Sequence, residues 1–272
     1  MILEEGRLKI DTIHQGDCLE LMPFIPDKSI DAIITDLPYG TTDCKWDRVI
    51  PFEPLWKEYK RLIKDRGAIV LTASQPFTSA LVMSNPKMFK YEWIWEKTRA
   101  SGFVHAKNKP LKIHENVLVF SPGTTVHKSQ SERRMVYNPP GLVFFGKETY
   151  RPHRDEKLTN GTVGHRPSHK KTFLQEYTNY PSSVLTFPNP NNDTHHPTQK
   201  PVALFEYLIK TYTNEGDLVL DNCIGSGTTA VAAKRTGRHF IGIELSSEYC
   251  EIARKRVAAV PARLDRWAEA EG

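Results

Sequence analysis

No stretch of the chain approaches the roughly 18 consecutive apolar residues that a membrane-spanning helix needs, so no membrane span is expected. Met1 to Glu5 lack both a basic start and a cleavable apolar core, so no secretory signal is expected and the chain is placed in the cytoplasm. The four cysteines, Cys18, Cys44, Cys223 and Cys250, form no C-x-x-C pair, which argues against a disulfide framework and fits a reducing compartment. His165, His169, His195 and His196 have no cysteine or carboxylate at ligand spacing, so no metal site is expected. An internal repeat is also lacking. With 272 residues, 39% of them hydrophobic, the chain is long enough for one large α/β domain, with or without an insertion.

Three motifs stand out against these absences. The apolar run Ile30 to Thr35 reads as a buried strand and ends in Asp36-Leu37-Pro38-Tyr39. Asp36 offers an acceptor-only carboxylate, Tyr39 a flat stacking face, and Pro38 stiffens the loop between them. That grouping suits a planar heterocycle carrying an exocyclic amine, although the same four residues also make an ordinary strand-to-helix turn. Further on, Asp217 to Asp221 reads as a strand, Asn222 to Thr229 as a glycine turn, Ala230 to Arg238 as a helix, and His239 to Leu245 as a strand carrying Glu244. Gly225, Gly227 and Ala230 match the dinucleotide pattern G-x-G-x-x-G/A, with Glu244 near the usual spacing for a ribose acid, so an NAD-dependent oxidoreductase stays open. No Lys precedes Thr228 or Thr229, and a P-loop is excluded. The third motif, His196-Pro197-Thr198-Gln199-Lys200-Pro201, leads into the amphipathic stretch Val202 to Tyr212, where Pro201 also serves as a helix start.

Taken together, the motifs resemble the permuted (beta-group) amino-DNA methyltransferases, which use S-adenosylmethionine. The family's D-P-P-Y stands here as Asp36 to Tyr39, its D-P-F-x-G-S-G-T-T as Asp221 to Thr229, and its H-x-T-Q-K-P is intact at 196–201. Leu37 replaces a Pro whose backbone carbonyl does the work in the family; Asn222 and Cys223 replace Pro and Phe, leaving a smaller contact beside the cofactor. The resemblance implies an α/β Rossmann-like fold with a mostly parallel seven-stranded sheet, one strand of it antiparallel, and a circularly permuted motif order. It implies that Asp36, Leu37, Pro38 and Tyr39 are catalytic. It assigns Asp17, Thr198, Gln199, Lys200, Asp221, Gly225, Ser226, Gly227, Thr228 and Glu244 to the cofactor. The implied activity is methylation of the N6 amine of adenine in duplex DNA by base flipping. Cytosine-N4 methylation is the alternative, but its enzymes usually begin the catalytic motif with Ser. An oxidoreductase explains Gly225 to Glu244 but neither 36–39 nor 196–201, and a catalytically silent DNA-binding protein would not need Asp36 and Tyr39. Glu115-Asn116-Val117 spells the tripeptide of cytosine-C5 methyltransferases, but no cysteine here follows the Pro that their nucleophile requires.

Charge is unevenly spread. Residues 97–171 hold 15 Lys and Arg against 5 Asp and Glu, while the rest holds 22 against 27. A basic block in an otherwise acidic chain is the footprint of a polyanion. Double-stranded DNA is the expected partner, with Lys97, Arg99, Lys107 and Lys109 as phosphate contacts; a cognate restriction endonuclease and a homodimer are also considered. From about Ser121 the sequence turns irregular and rich in Pro, Gly, Asn, His and basic residues. The expected organisation is 1–120 for the catalytic part, 121–190 for a target-recognition insert, 191–260 for the cofactor part of the same domain, and 261–272 as a tail.

Overall fold

The computed structural model describes residues 3–41, 47–126, 131–150, 172–190 and 199–261. In chain order the elements are β1 (Leu3–Glu4), β2 (Arg7–Leu8), β3 (Thr12–Gln15), α1 (Cys18–Leu21), β4 (Ile30–Thr35), α2 (Phe52–Leu62), β5 (Ile63–Ala73), α3 (Phe77–Ser84), β6 (Phe89–Ser101), β7 (Lys112–Phe120), β8 (Val143–Tyr150), β9 (Thr172–Thr178), β10 (Val184–Phe187), α4 (Val202–Tyr212), β11 (Leu218–Asp221), α5 (Thr228–Arg235), β12 (His239–Glu244) and α6 (Ser247–Ala258).

The chain divides into two compact units, 1–138 with 183–272, and 139–182. The first is built on an eight-stranded sheet ordered β10-β6-β7-β5-β4-β11-β12-β3, in which β7 alone runs antiparallel to its neighbours. Its central strands are covered on both faces, which is why β4 reads as a nearly unbroken apolar run rather than an alternating one. Ile33 faces a core with Leu55, Trp56, Tyr59 and Leu62 of α2 and Leu81 of α3. Ala32 and Ile34 point the other way, into a core with Leu204, Leu208 and Ile209 of α4, Ala230 of α5 and Ala253 of α6. Each fully buried aliphatic side chain of these layers contributes about 1.5–3 kcal/mol.

The resemblance implied seven strands; the eighth is β10, which adds parallel to β6. It lies in the stretch read as irregular, because four residues, Val184 to Phe187, carry too little pattern to stand out. β6 and β7 pair antiparallel and are flanked by β10 and β5. Residues 121–138 also belong to the first unit. Ser121 Oγ donates to the Gly67 carbonyl at 2.7 Å, and Asn138 Nδ2 donates to the Thr213 carbonyl at 3.0 Å. The second unit, described by itself, is the antiparallel ribbon of β8 and β9, with Phe144 set against Tyr177 at 5.9 Å. Phe144, Tyr150 and Leu174 are exposed on it.

Among the described residues no helix is long and apolar enough to cross a membrane. Cys44, His165, His169, His195 and His196 lie outside them.

Candidate active site

β4 and β11 pair in parallel through Val219↔Ala32 and Leu220↔Ile33. From this pair the chain order runs outward in opposite directions, to β5 on one side and β12 on the other. The loops leaving the two carboxyl ends therefore diverge and open a crevice, the place where doubly wound sheets bind ligands. β12 and β3 continue the row. Asp36, the glycine turn, Glu244 and Asp17 thus follow the ends of four neighbouring parallel strands. One cavity of about 1220 Å³ takes in Asp17, Asp36 to Tyr39, Gln199, Lys200, Asp221, Gly225, Ser226, Thr228 and Glu244. Motifs almost two hundred residues apart share one mouth because their strands are neighbours.

Asp36 is held at both oxygens. Oδ1 accepts from the Tyr39 hydroxyl at 2.8 Å and from the Thr72 hydroxyl, and Oδ2 lies 3.0 Å from Lys200 Nζ. The Tyr39 ring stacks on Phe77 at 5.2 Å, with the Lys200 ammonium 5.4 Å from its centroid. Burial, helped by the Asp36 charge, pushes the Tyr39 hydroxyl well above its ordinary pKa, so it stays a donor. The Leu37 side chain is buried in the core, so this residue has a packing role besides whatever its carbonyl does. Thr72 was not singled out from sequence; its one signal is a hydroxyl residue in the apolar run Ala68 to Leu71.

The glycine turn has two different glycines. Gly225 sits at φ +51° with open space where a Cβ would be, and it lines the cavity. Gly227 sits at φ +87°, caps α5, and a Cβ there would meet Ala253 Cβ at 2.9 Å. Gly227 thus serves helix packing, a role beside the cofactor contact expected of it. Ser226 is tied down by Arg256, which donates to its carbonyl at 2.5 Å and its hydroxyl at 2.9 Å, and Ser226 in turn donates to Gln199 Oε1 at 3.1 Å. Glu244 Oε2 accepts the Gly225 N–H and Oε1 the Ser246 N–H, both at 2.9 Å. Each oxygen keeps a further lone pair for a hydroxyl donor. Burial raises the Glu244 carboxyl above its ordinary pKa. Asp17 is exposed at the cavity and caps α1 through Leu19 N at 2.7 Å, so it is a helix cap as well as a cavity acid.

Three charged side chains of the expected site are held by partners within the protein. Asp221 is buried and turned inward, accepting from Cys223 N at 3.0 Å and from the Thr229 hydroxyl; its carboxylate braces the turn. Lys200 does not stand free for a cofactor carboxylate, because its ammonium bridges Asp36 and Glu115, the latter at 3.1 Å. Lys97, expected as a phosphate contact, pairs with Glu115 at 2.5 Å and has only 12% of its side chain exposed. Arg99 is exposed beside the cavity, and Lys107 and Lys109 are exposed in the β6–β7 loop. Thr198 lies outside the described residues. Sequence also passed over Tyr59, whose buried hydroxyl donates to Asn222 Oδ1 at 2.6 Å and clamps the turn from α2.

A mostly parallel sheet with this row of acids and a glycine turn along one carboxyl edge is a Rossmann-like methyltransferase fold. The chain belongs to the DNA methylase family, whose model matches residues 30–255. It is 30% identical over 263 residues to the type II methyltransferase M1.MboII of Moraxella bovis, covering 89% of this chain and 94% of that one. It is 28% identical over 262 residues to the DNA adenine methyltransferase YhdJ of Escherichia coli K12, covering 90% and 82%. The solved complex of M1.HpyAVI with SAM superimposes with a TM-score of 0.57 at 26% identity, covering 90% of this chain and 98% of that one.

Proposed function

We propose that the protein is an adenine-N6 DNA methyltransferase that uses S-adenosylmethionine and acts on a base flipped out of a short duplex site. The observation that carries this is the shared cavity, which holds the acid–aromatic loop of β4 beside the glycine turn of β11. The adenine activity in the name of YhdJ and the SAM in the M1.HpyAVI complex support it.

The donor set fits the cofactor. Space over Gly225 admits a ligand against backbone, Glu244 has acceptors to spare for ribose hydroxyls, and Asp17 stands at the next strand end for an amine. Ser226, Thr228 and Gln199, with Thr198 before it, are assigned to the methionine end. When bound, S-adenosylmethionine supplies an electrophilic methyl group. The target amine is a poor nucleophile because its lone pair delocalises into the ring. Asp36 and the Leu37 carbonyl accept its hydrogens, localise the lone pair and aim it; Pro38 stiffens the loop that carries them. Oδ1 of Asp36 already has two donors, so the amine is taken by Oδ2, beside Lys200. Tyr39 offers its ring to the base. Flipping costs about a few kcal/mol, offset by stacking and by phosphate contacts from Arg99, Lys107 and Lys109. Site recognition is assigned to the second unit, 139–182, a narrower span than the insert expected at 121–190.

This reading implies a cytoplasmic enzyme with DNA as partner; a cognate restriction endonuclease and a second copy of the chain are further partners to test by co-purification and sedimentation. Calorimetry tests the cofactor. S-adenosylmethionine should bind at one site per chain without added metal and more weakly in Glu244→Ala, whereas tighter binding of NAD would contradict the proposal.

A further inference from the structure

Glu115 lies on β7, 8% exposed, and no step above uses it. Its Oε1 bonds Lys97 and its Oε2 lies 3.1 Å from Lys200 Nζ, whose other carboxylate neighbour is Asp36 at 3.0 Å. Charges therefore alternate along Lys97, Glu115, Lys200 and Asp36, and these four sum to zero; the Lys112 ammonium lies near them on the same cavity wall and adds one positive charge. Burial opposes charge on Glu115, but Lys200 and Lys97 outweigh it and hold the carboxyl below its ordinary pKa. Burial likewise opposes charge on Lys200, but Asp36 and Glu115 outweigh it and hold the ammonium above its own. Both stay ionised.

A cation beside Asp36 is a liability for the reaction proposed above. The amine nitrogen that gives its lone pair to the methyl carbon becomes positive before it sheds a proton. An unbalanced ammonium next to it would oppose that charge, and would also draw Asp36 Oδ2 away from the amine. Resting on the proposed methyl transfer, we propose that Glu115 is a positioning residue: it holds Lys200 in place and balances its charge, so that Lys200 orients Asp36 without opposing the transition state. Oε2 of Glu115 is buried and has the Lys200 ammonium as its charged neighbour at 3.1 Å.

The test is single-turnover methylation and cofactor affinity for Glu115→Gln, Lys200→Met, the double variant and Glu115→Asp, with thermal melts of each. Glu115→Gln should slow methylation about 10- to 100-fold, within the range of coupling between members of one salt-bridge network, with calorimetric cofactor affinity unchanged within about twofold. Glu115→Asp keeps the charge and should recover most of the rate. The double variant should be faster than Glu115→Gln alone, because no ammonium then stands against Asp36. A double variant as slow as or slower than Glu115→Gln would overturn the proposal, as would equal losses for Gln and Asp. Should Glu115→Gln not fold, Lys200→Met decides. A slower rate with intact cofactor affinity supports Lys200 at Asp36, and lost cofactor affinity with an unchanged rate on bound cofactor overturns it. A wild-type protein that methylates no DNA would refute the proposed function itself. An active wild type with Glu115→Gln equally fast refutes only this inference.

Discussion

Asp36 and Asp221 end neighbouring strands yet live under different conditions. Asp36 faces the cavity with Lys200 against one oxygen, whereas Asp221 is sealed among hydroxyl and amide donors. Burial raises the Asp221 carboxyl from 3.8 to about 6. Between those values the native chain keeps a proton that the unfolded chain has released. The stability this group contributes is therefore full below about pH 4, and up to about 3 kcal/mol of it is lost as pH rises to about 6. Denaturant unfolding from about pH 4 to pH 7 should show wild type losing stability relative to Asp221→Asn as pH rises. Wild type gaining stability relative to Asp221→Asn as pH rises would mean the carboxylate is held charged. Asp36 and Tyr39 were legible in the sequence because a strand end fixes where they point. The partners of Lys200 and Lys97 were not legible, because they depend on a carboxylate elsewhere in the chain, and Glu115 carries no local sign of facing both.

At the scale of elements, the glycine turn and the β6–β7 loop divide structure from contact. Gly227→Ala forces a side chain into Ala253 at a left-handed position, so it should destabilise the fold by on the order of 1–3 kcal/mol and lower the melting temperature. Gly225→Ala carries the strain of its φ alone, about 1 kcal/mol, but fills space over the cavity, so its larger effect should be on cofactor affinity. Melts and calorimetry of both variants check this, and the reverse pattern would contradict it. In the loop, Lys107 and Lys109 are exposed and, unlike Lys97, have no ion pair among the described residues. Replacing both with Ala should flatten log K against log [salt] by up to about two units, at about 0.9 per phosphate released. The loss should be alike on cognate and scrambled duplexes, because phosphate contacts position and base contacts specify. An unchanged slope would return these lysines to a solvated surface. Strands and helices covered on both sides were legible from their apolar runs; α4 was placed at Val202 to Tyr212 from spacing alone. β10 was not, since its pairing with β6 rather than its own residues makes it a strand.

Across the whole molecule, the permuted order is reconciled by pairing. The catalytic strand comes first in sequence and the cofactor strand last, yet they lie side by side, and the loops that diverge from them make one cavity. That much followed from the motifs. The limits of the second unit did not, because residues 121–138 and 183–190 look irregular in sequence while belonging to the first unit. The claim that this cavity methylates adenine is tested most directly by mapping modified bases in DNA from cells expressing wild type or Asp36→Ala. Wild type should leave N6-methyladenine at one short recurring site. Asp36→Ala should lower purified turnover about 100- to 1,000-fold, on the scale of one preorganised contact, empty that site of methyl groups, and leave cofactor binding largely intact. N4-methylcytosine in place of N6-methyladenine, or full methylation by Asp36→Ala, would contradict the account.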